Sequence, residues 1–456
     1  MTIGEYLTSL KNKKVAVIGI GVSNTPLIHM LLRADISVTA CDKSSREALG
    51  DIADELESLG AKLCLGEHYL DDLNHDVIFR TPGLRPDVPA LEAAKERGAE
   101  ITSEMEVFFQ TCPCRIIAVT GSDGKTTTTT IISELLKAAG YNVYVGGNIG
   151  KPLLADTPGM EQDDIVVLEL SSFQLMTMKQ SPDIAVVTNV TPNHLDVHKS
   201  MSEYIAAKEN LFRYQASDTL AVFNLDNEIT RAFSENAPGK AICFSRKEKP
   251  HNGVYLKDES IWSGDREVLP VGDILIPGVH NIENYMAAIA AVQTLVSDDV
   301  IRRVAKTFGG VEHRIELVRK LRGVRYYNDS IASSPTRTIA GLRSFSEKVI
   351  LIAGGYDKNI PFDELGPEII EHVKYLVLTG DTASKIRAAV EAAPGYVGTN
   401  PPIDEYGDFT RAVFAAHQAA EDGDVVIMSP ACASFDKFKN FMVRGNAFKK
   451  IINELE

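Results

Sequence analysis

A glycine-rich loop with one lysine and two hydroxyls is the part of this sequence whose residue types most directly imply chemistry. The loop runs from Gly121 to Thr127, between a β-branched run at 116–119 and an apolar helical pattern at 131–136. Glycines let backbone N–H groups close around phosphate oxygens, and the start of a helix adds partial positive charge. A lysine adds a full charge, and a hydroxyl is an oxygen ligand for Mg²⁺. The order strand, loop, helix therefore predicts a site for ATP phosphates, with these residues as its parts: Gly121, Gly124, Lys125, Thr126 and Thr127.

The spacing within this loop departs from the common phosphate-binding pattern. Four residues usually separate the first glycine from the Gly-Lys pair, whereas only Ser122 and Asp123 stand between Gly121 and Gly124 here. A glycine turn that carries a lysine by chance is the alternative. We favour the phosphate site because a strand and a helix lie on either side of the loop, as that chemistry requires.

Polar residues follow two other apolar runs of the same region. Glu169 ends the run 165–168, and His194 and Asp196 follow the run 184–189. An acidic residue at a strand end beside a phosphate loop typically holds Mg²⁺ directly or through water, and a neutral histidine can be a metal ligand. A solvated strand end and an ordinary loop histidine are the alternatives.

Three polar clusters in the last third of the chain also follow predicted strands. They are the stretches 328–330, 354–358 and 429–434, which contain Asp329 and Lys358. Wound sheets bind ligands at the carboxyl ends of their strands. Any one cluster can be a simple turn, but three at strand ends in one region indicate a binding face.

The first strand-to-helix turn carries a weaker nucleotide signal. Gly19 and Gly21 lie on this turn, and Asp42 ends the second predicted strand. This arrangement resembles a dinucleotide fingerprint in which the acid accepts a ribose hydroxyl. Asn24 stands where the third glycine of that fingerprint is expected, so a tight turn without a ligand is the alternative.

Alternation of short β-rich runs with helical patterns predicts parallel sheets with helices on their faces. The first hundred residues contain such runs at 14–19, 36–41 and 77–79, with helical patterns at 25–33 and 46–59. The alternation starts again at Arg115 and near Val311, and Gly309-Gly310 is expected to be a hinge. We therefore predict an α/β protein with three domains: an N-terminal Rossmann-like domain at 1–103, a central P-loop ATPase-like domain at 104–310 and a C-terminal Rossmann-like wound sheet at 311–456.

Bulk composition excludes several classes of protein. A chain of 456 residues is too long for one core, and its formal net charge of −15 argues against a nucleic-acid-binding surface. No apolar run approaches the ~20 residues of a membrane helix, and residues 1–14 lack the apolar segment of a signal peptide. Of six cysteines only Cys112 and Cys114 form a close pair, with no second pair to complete a zinc site. We expect reduced, structural thiols in a cytoplasmic protein.

With these motifs the chain resembles the Mur ligase family, over essentially its whole length. The phosphate loop matches the family's short Gly-x-x-Gly-Lys-Ser/Thr pattern. The stretches 168–175 and 429–441 are similar to those of the D-glutamate-adding members, and Gly278–Asn284 and His313-Arg314 are shared across the family. The Asp-Asn-Pro-Arg motif of the diaminopimelate- or lysine-adding members is absent.

The resemblance implies roles for residues around the nucleotide. Lys125 and Thr126 would hold ATP phosphates and Mg²⁺, and Glu169 and His194 would serve a pair of Mg²⁺ ions. Lys208 matches the lysine that the family carbamylates with CO₂, which turns an ammonium into an anionic oxygen ligand for a metal. The metal ligands are then Thr126, Glu169, His194 and carbamylated Lys208. The further nucleotide contacts that the resemblance implies are Asn281, Arg314 and Asp329.

The resemblance also implies an ATP-dependent ligase that adds D-glutamate to UDP-N-acetylmuramoyl-L-alanine through an acyl phosphate, in peptidoglycan synthesis. The N-terminal domain would then bind a uridine nucleotide rather than a nicotinamide. The implied UDP-substrate site comprises Val22, Ser23, Asp42, Thr81, Gly83 and Asn148. The implied D-glutamate site comprises Lys358, Ser434 and Phe441. We expect a monomer that binds neither nucleic acid nor membrane.

Two positions depart from the family's pattern. Ile331-Ala332-Ser333 stands where members often carry Lys-Ala-Thr, so a cation near the reacting groups is missing or comes from elsewhere. Asp123 replaces a common loop asparagine and adds negative charge near the phosphates.

Three other functions compete with this interpretation. A folylpolyglutamate synthetase of the same superfamily also adds glutamate to a carboxylate, but it lacks the N-terminal nucleotide-like domain. A nicotinamide-dependent oxidoreductase built on Gly19-Ile20-Gly21 leaves the Lys125 loop unexplained. A non-catalytic ATP-binding switch would show no substrate-dependent phosphate release.

Overall fold

The described residues form three β-sheets, and each sheet comes from a separate stretch of the chain. The structure is a computed structural model and describes residues 1–193 and 197–456. The chain divides into two compact units, of which the first comprises Met1–Val271 with Glu283–Val304, and the second Gly272–Ile282 with Ala305–Glu456. Among the described residues no helix is long and apolar enough to cross a bilayer.

The N-terminal sheet has five parallel strands in the order β3-β2-β1-β4-β5. Its strands are β1 Val15–Ile18, β2 Val38–Asp42, β3 Lys62–Leu65, β4 Val77–Phe79 and β5 Glu100–Thr102. Alternate residues enter two cores: Val15 and Val17 pack in one, and Ala16 and Ile18 in the other. Both faces of the sheet are therefore buried, as the predicted wound topology requires.

Six helices accompany this sheet: α1 Ile3–Leu10, α2 Thr25–Arg33, α3 Arg46–Leu49, α4 Asp51–Ser58, α5 Pro89–Glu96 and α6 Glu104–Thr111. The single helix predicted at 46–59 is wrong. The structure splits it at Gly50, whose φ of 56° ends α3 and begins α4. Glycine adopts this left-handed backbone without the steric cost of a Cβ, so the chain can turn there.

The central sheet has nine strands in the order β14-β13-β12-β11-β10-β9-β6-β8-β7. They are β6 Arg115–Thr120, β7 Val143–Gly147, β8 Ile165–Glu169, β9 Ile184–Val187, β10 Leu220–Asn224, β11 Lys240–Ser245, β12 Gly253–Lys257, β13 Ser260–Ser263 and β14 Arg266–Pro270. The strands β6 to β12 pair in parallel, and β13 and β14 add an antiparallel edge. Because β9, β6 and β8 are neighbours, their carboxyl ends meet at one edge of the sheet.

The helices of this stretch are α7 Lys125–Ala138, α8 Ser172–Leu175, α9 Met201–Arg213, α10 Glu228–Asn236, α11 Val279–Val292 and α12 Asp298–Thr307. Short 3₁₀ turns lie at Leu154–Gly159 and Val271–Asp273. The helix α7 begins at Lys125, so the last three residues of the Gly121–Thr127 loop form its first turn.

The C-terminal sheet has six strands in the order β15-β16-β20-β17-β18-β19, of which only β15 is antiparallel to its neighbour. They are β15 Glu316–Leu321, β16 Val324–Asn328, β17 Val349–Ala353, β18 Val373–Leu378, β19 Ile403–Glu405 and β20 Val425–Met428. Its helices are α13 Pro335–Leu342, α14 Leu365–His372, α15 Ala383–Ala392, α16 Phe409–Gln418 and α17 Phe441–Glu454. Leu351 and Ile427 pack in one core, and Ile350 and Val426 in the other, so helices cover both faces.

All six cysteines are free thiols, and the Sγ atoms of Cys112 and Cys114 lie 3.5 Å apart. Gly309 and Gly310 lie between α12 and β15, where Gly310 has a φ of 111°. The hinge there and the boundaries at 103/104 and 310/311 stay predictions.

Candidate active site

The loop after β6 has the geometry of a phosphate cradle. Gly121 and Gly124 have φ angles of 154° and 78°, in the region that favours glycine. A Cβ on Gly121 would collide with the hydroxyl of Thr188, and one on Gly124 with the side-chain oxygen of Asn284. Both positions thus require glycine, and Thr127 follows as a buried residue in the first turn of α7.

Lys125 folds back over this loop. Its Nζ donates to the carbonyl oxygen of Gly121 at 3.0 Å and to that of Ser122 at 2.9 Å. The ammonium group is therefore held beside the N-terminus of α7, where both its charge and the helix dipole favour an anion.

Glu169 links the loop to a second segment. It ends β8 with 2% of its surface exposed. The hydroxyl of Thr126 donates to its Oε2 at 2.7 Å, and the side-chain amide of Asn148 donates to its Oε1 at 2.8 Å. One buried carboxylate thus connects the first turn of α7 to the loop after β7.

Lys208 on α9 reaches the same loop from the other side. It is 1% exposed, and its Nζ donates to the carbonyl oxygen of Gly121 at 2.7 Å. The ring of Tyr204 lies 4.7 Å from this Nζ. Burial, with the nearby charge of Lys125, lowers the pKa of Lys208 well below its usual range. The buried site therefore favours the uncharged amine more than solvent does.

A cleft of about 400 Å³ lies beside this arrangement, within the first unit. Five of the residues predicted for the UDP substrate line it: Val22, Ser23, Thr81, Gly83 and Asn148. Ser171, Phe173 and Gln174, which follow β8, line it as well. Asn148 belongs both to this cleft and to the Glu169 contact, so the cleft opens next to the phosphate loop.

Asp42, the sixth residue predicted for that substrate, has a different local role. It is not among the residues that line this cleft. Its Oδ2 accepts the backbone N–H of Ile20 at 2.6 Å and its Oδ1 that of Ser44 at 2.8 Å. The carboxylate thus fixes the first turn, and both its oxygens already have partners.

The structure describes three of the four predicted metal ligands, Thr126, Glu169 and Lys208. His194 lies outside the described residues. Across 1–193 and 197–456 no group of three or more His, Cys, Asp or Glu side chains is arranged to hold a metal ion. Thr126 and Glu169 nevertheless bring a hydroxyl and a carboxylate oxygen within 2.7 Å, and oxygen donors suit Mg²⁺.

The second unit holds its own predicted cluster at the end of β16. Asp329 is 3% exposed, and it accepts the Ser429 hydroxyl at 2.7 Å and the backbone N–H of Ile315 at 3.2 Å. Burial raises the pKa of Asp329 to about 7. The Arg337 guanidinium donates to the carbonyl of Ile331 at 3.2 Å, so a cation lies beside this position.

The other predicted residues of the second unit are placed as follows. Asn281 is buried, and its side-chain amide donates to the carbonyl of Pro277 at 2.6 Å, whereas Arg314 is half-buried after a turn from Val311. Lys358 is exposed, Ser434 is buried, and Phe441 begins α17 with its ring in a T-shaped contact with that of His313. No contact joins the three D-glutamate candidates to one another among the described interactions of this unit.

Sequence reasoning missed two buried arginines. Arg80, directly after β4, is 1% exposed, and Arg444 on α17 is 2% exposed. The Arg444 guanidinium donates to the carbonyl oxygens of Ser330, Cys432 and Ala433 at 2.9–3.0 Å. It therefore supports two of the strand-end clusters that were predicted to bind ligands.

Comparison with known families covers most of the chain in three parts. Residues 13–103 match the model described as "Mur ligase MurD-like, N-terminal domain". Residues 119–292 match "Mur ligase middle domain", and residues 313–432 match "Mur ligase, glutamate ligase domain".

Full-length relatives agree with these matches. The chain is 56% identical to the UDP-N-acetylmuramoylalanine–D-glutamate ligase of Acetivibrio thermocellus, over 100% of this chain and 99% of that one. It is 53% identical to the ligase of the same name from Clostridium novyi, again over 100% and 99%.

Solved structures support the fold. The UDP-N-acetylmuramate-alanine ligase of Thermotoga maritima aligns over 97% of this chain and 99% of its own, with a TM-score of 0.58 at 18% identity. A UDP-N-acetylmuramoyl-L-alanyl-D-glutamate–2,6-diaminopimelate ligase aligns over 83% and 93%, with a TM-score of 0.59 at 20% identity. Three family models match the chain, and it is 56% and 53% identical over its full length to the ligases of Acetivibrio thermocellus and Clostridium novyi. The chain therefore belongs to the Mur ligase family.

Proposed function

We propose that this chain is an ATP-dependent ligase that joins D-glutamate to the carboxyl group of UDP-N-acetylmuramoyl-L-alanine, in the synthesis of peptidoglycan precursors. One observation carries the proposal: Asn148 lines the cleft and contacts Glu169, which contacts Thr126 of the phosphate loop. A substrate carboxylate in the cleft would therefore lie next to the nucleotide phosphates.

The reaction needs this proximity because a carboxylate is a poor acyl donor. Phosphoryl transfer from ATP gives an acyl phosphate, whose leaving group is phosphate rather than oxide. The amine of D-glutamate attacks the acyl carbon, and the tetrahedral intermediate expels phosphate as the amide forms. Exclusion of water protects the acyl phosphate from hydrolysis.

The phosphate loop supplies the electrostatic part of this chemistry. Lys125 and the N–H groups at the start of α7 face the charge that develops on the transferring phosphoryl group. We assign ATP binding to Gly121, Gly124, Lys125, Thr126 and Thr127, with Asn281, Arg314 and Asp329 as further nucleotide contacts.

The residues around Glu169 fit Mg²⁺. We assign the ion to Thr126, Glu169, His194 and carbamylated Lys208; when bound, it neutralises phosphate charge. Lys208 suits carbamylation because its amine is buried and its pKa is lowered. The unprotonated nitrogen bonds to the carbon of CO₂ and loses a proton, which yields an anionic oxygen ligand.

We assign the UDP substrate to the cleft residues Val22, Ser23, Thr81, Gly83 and Asn148, with Asp42 supporting the adjoining turn. D-glutamate is assigned to Lys358, Ser434 and Phe441. The proposed domains are 1–103 for the UDP substrate, 104–310 for ATP and 311–456 for the amino acid. We further propose a monomer in the cytoplasm, where ATP and the UDP-linked substrate are available.

The decisive experiment measures phosphate release with UDP-N-acetylmuramoyl-L-alanine and Mg-ATP. We expect release with D-glutamate and not with L-glutamate or other amino acids. Release without the UDP substrate, or equal release with L-glutamate, would contradict the proposal. Binding of NADH in a direct titration would instead support the oxidoreductase alternative.

A further inference from the structure

Arg80 lies in the interior of the first unit, although it is a charged residue without an assigned role. It follows β4 directly and is 1% exposed. Burial lowers its pKa, and the negative charge of Glu106 on α6 opposes this effect. Burying a guanidinium is costly unless most of its donors find acceptors.

The guanidinium donates to two separate segments of the chain. Its Nη1 reaches the carbonyl oxygens of Thr81, Pro82 and Leu84 at 3.2, 3.3 and 2.5 Å. Its Nη2 reaches the carbonyl oxygen of Phe173 at 3.4 Å and the hydroxyl of Thr177 at 3.3 Å. One side chain therefore connects the loop after β4 to the segment around α8.

Both segments line the cleft that we assign to the UDP substrate. Thr81, Pro82 and Gly83 line it from the first segment, and Ser171, Phe173 and Gln174 line it from the second. Arg80 is not among the lining residues. The Thr81 carbonyl also accepts the N–H of Leu84 at 3.1 Å, so the turn can close by itself. Arg80 adds a connection from this turn to the Phe173 carbonyl and the Thr177 hydroxyl.

Resting on the proposed function, we propose that Arg80 is a positioning residue for the UDP-linked substrate. Its planar guanidinium fixes the spacing between the Thr81–Leu84 loop and the Phe173 segment, and thereby the width of the cleft. A lysine cannot replace it, because an ammonium offers three donors from one nitrogen, whereas five acceptors surround Arg80 in a fork-like arrangement.

The test compares three variants of the full-length enzyme by steady-state kinetics and by direct binding of UDP-N-acetylmuramoyl-L-alanine. Arg80→Lys keeps the charge and removes the fork. Thr177→Val conserves volume and removes the hydroxyl that accepts from Arg80 and also contacts Glu106. Arg97→Lys is the matched control, since Arg97 donates to the carbonyl of Leu73 in the same sheet region and is absent from the cleft lining.

We expect Arg80→Lys to raise the KM for the UDP substrate about ten-fold, because buried acceptors lose their donors. Thr177→Val should raise it about three-fold, because one N–H of Arg80 loses its acceptor. The kcat, the KM for ATP and the KM for D-glutamate should stay within about two-fold, as in Arg97→Lys. If Arg80→Lys does not fold, Thr177→Val decides the question.

Unchanged KM for the UDP substrate in the folded variants would overturn this inference while leaving the proposed function intact. An equal decline of kcat and of the affinity for all three substrates would also overturn it, because that pattern marks general destabilisation. A wild-type enzyme that does not bind the UDP substrate would refute the proposed function itself.

Discussion

Lys208 and Lys137 are both helical lysines, and their surroundings give them different chemistry. Lys137 is exposed and pairs with Glu134 at 3.0 Å. Lys208 is 1% exposed, and its Nζ lies 2.7 Å from the Gly121 carbonyl. A buried amine with a lowered pKa is a nucleophile, whereas an exposed ammonium is not. The difference is set by residues far away in sequence, so the helical pattern around Lys208 does not reveal it.

At this scale we predict that Lys208→Ala lowers kcat by at least about a hundred-fold, because an anionic oxygen ligand is lost from the phosphoryl-transfer site. Added bicarbonate should not restore the rate. Lys208→Arg, which keeps a cation and cannot form the carbamate, should be equally impaired. Phosphate release measures both variants, and wild-type rates in either one would remove the carbamate assignment.

Lys125→Ala should abolish acyl phosphate formation, with phosphoryl transfer reduced by about a thousand-fold. We assign to this lysine the neutralisation of phosphate charge beside the N-terminus of α7, which an uncharged alanine does not provide. Trapping of the acyl phosphate with hydroxylamine gives the measurement. Lys137→Ala, on the same helix, is the control and should leave the yield unchanged. Undiminished trapping in Lys125→Ala would contradict the phosphate-cradle assignment.

At the scale of elements, the sequence predicts best where apolar periodicity is strong. The helix Thr25–Arg33 has the bounds that its pattern predicts. No strand is predicted at β5, β7, β19 or any of β11 to β14. These strands lie towards the ends of their sheets, where fewer faces are buried and apolar alternation weakens.

The residues of the candidate site also differ in how well the sequence predicts them. Glu169 and Asp329 were located because the carboxyl ends of parallel strands converge. Lys208 came from the family resemblance alone. The signals of the two buried arginines were present and overlooked: Arg80 directly follows a buried strand, and Arg444 shares a helix face with Phe448 and Ile452 at intervals of four residues.

The two ends of α7 offer a test of the loop as an element. Gly124 and Gly140 both have positive φ, 78° and 97°, but only at Gly124 would a Cβ collide with a neighbour. Gly140→Ala should cost about 1 kcal/mol of unfolding free energy and leave nucleotide binding unchanged. Gly124→Ala should also weaken binding of a fluorescent ATP analogue by at least about ten-fold, because the cradle must shift.

Comparable nucleotide affinity in the two glycine variants would show that backbone strain alone, and not the shape of the loop, governs the effect. Thermal unfolding of both variants is the control for stability. We expect a similar loss of stability in each, because both alanines would adopt a strained positive φ.

At the scale of the whole molecule, two kinds of carboxyl group change the unfolding free energy in opposite directions as pH rises: those paired with a cation and those that are buried. Arg85 lowers the pKa of Glu203 to about 2 and also depresses that of Asp87, so these carboxylates stabilise the fold above pH 4.5 and the contribution is lost in acid. Glu104 on α6 behaves differently. It accepts the backbone N–H of Leu154 at 3.1 Å, and burial raises its pKa from 4.5 to about 7.

The sign for Glu104 follows from proton binding. Between pH 4.5 and about 7 the unfolded chain loses this proton while the folded chain keeps it, so the unfolding free energy falls as pH rises, by at most about 3 kcal/mol.

The variant Glu104→Gln keeps the side-chain oxygen that accepts the hydrogen bond and cannot ionise. Urea unfolding from pH 4.5 to 8 should therefore show the stability of the wild type declining relative to Glu104→Gln up to about pH 7 and levelling off above it. Glu96→Gln, at an exposed position on α5, is the control for loss of a surface carboxylate. A difference between the wild type and Glu104→Gln that stays constant over this range would mean that Glu104 is ionised in the folded protein, and that the contact with Leu154 outweighs its burial.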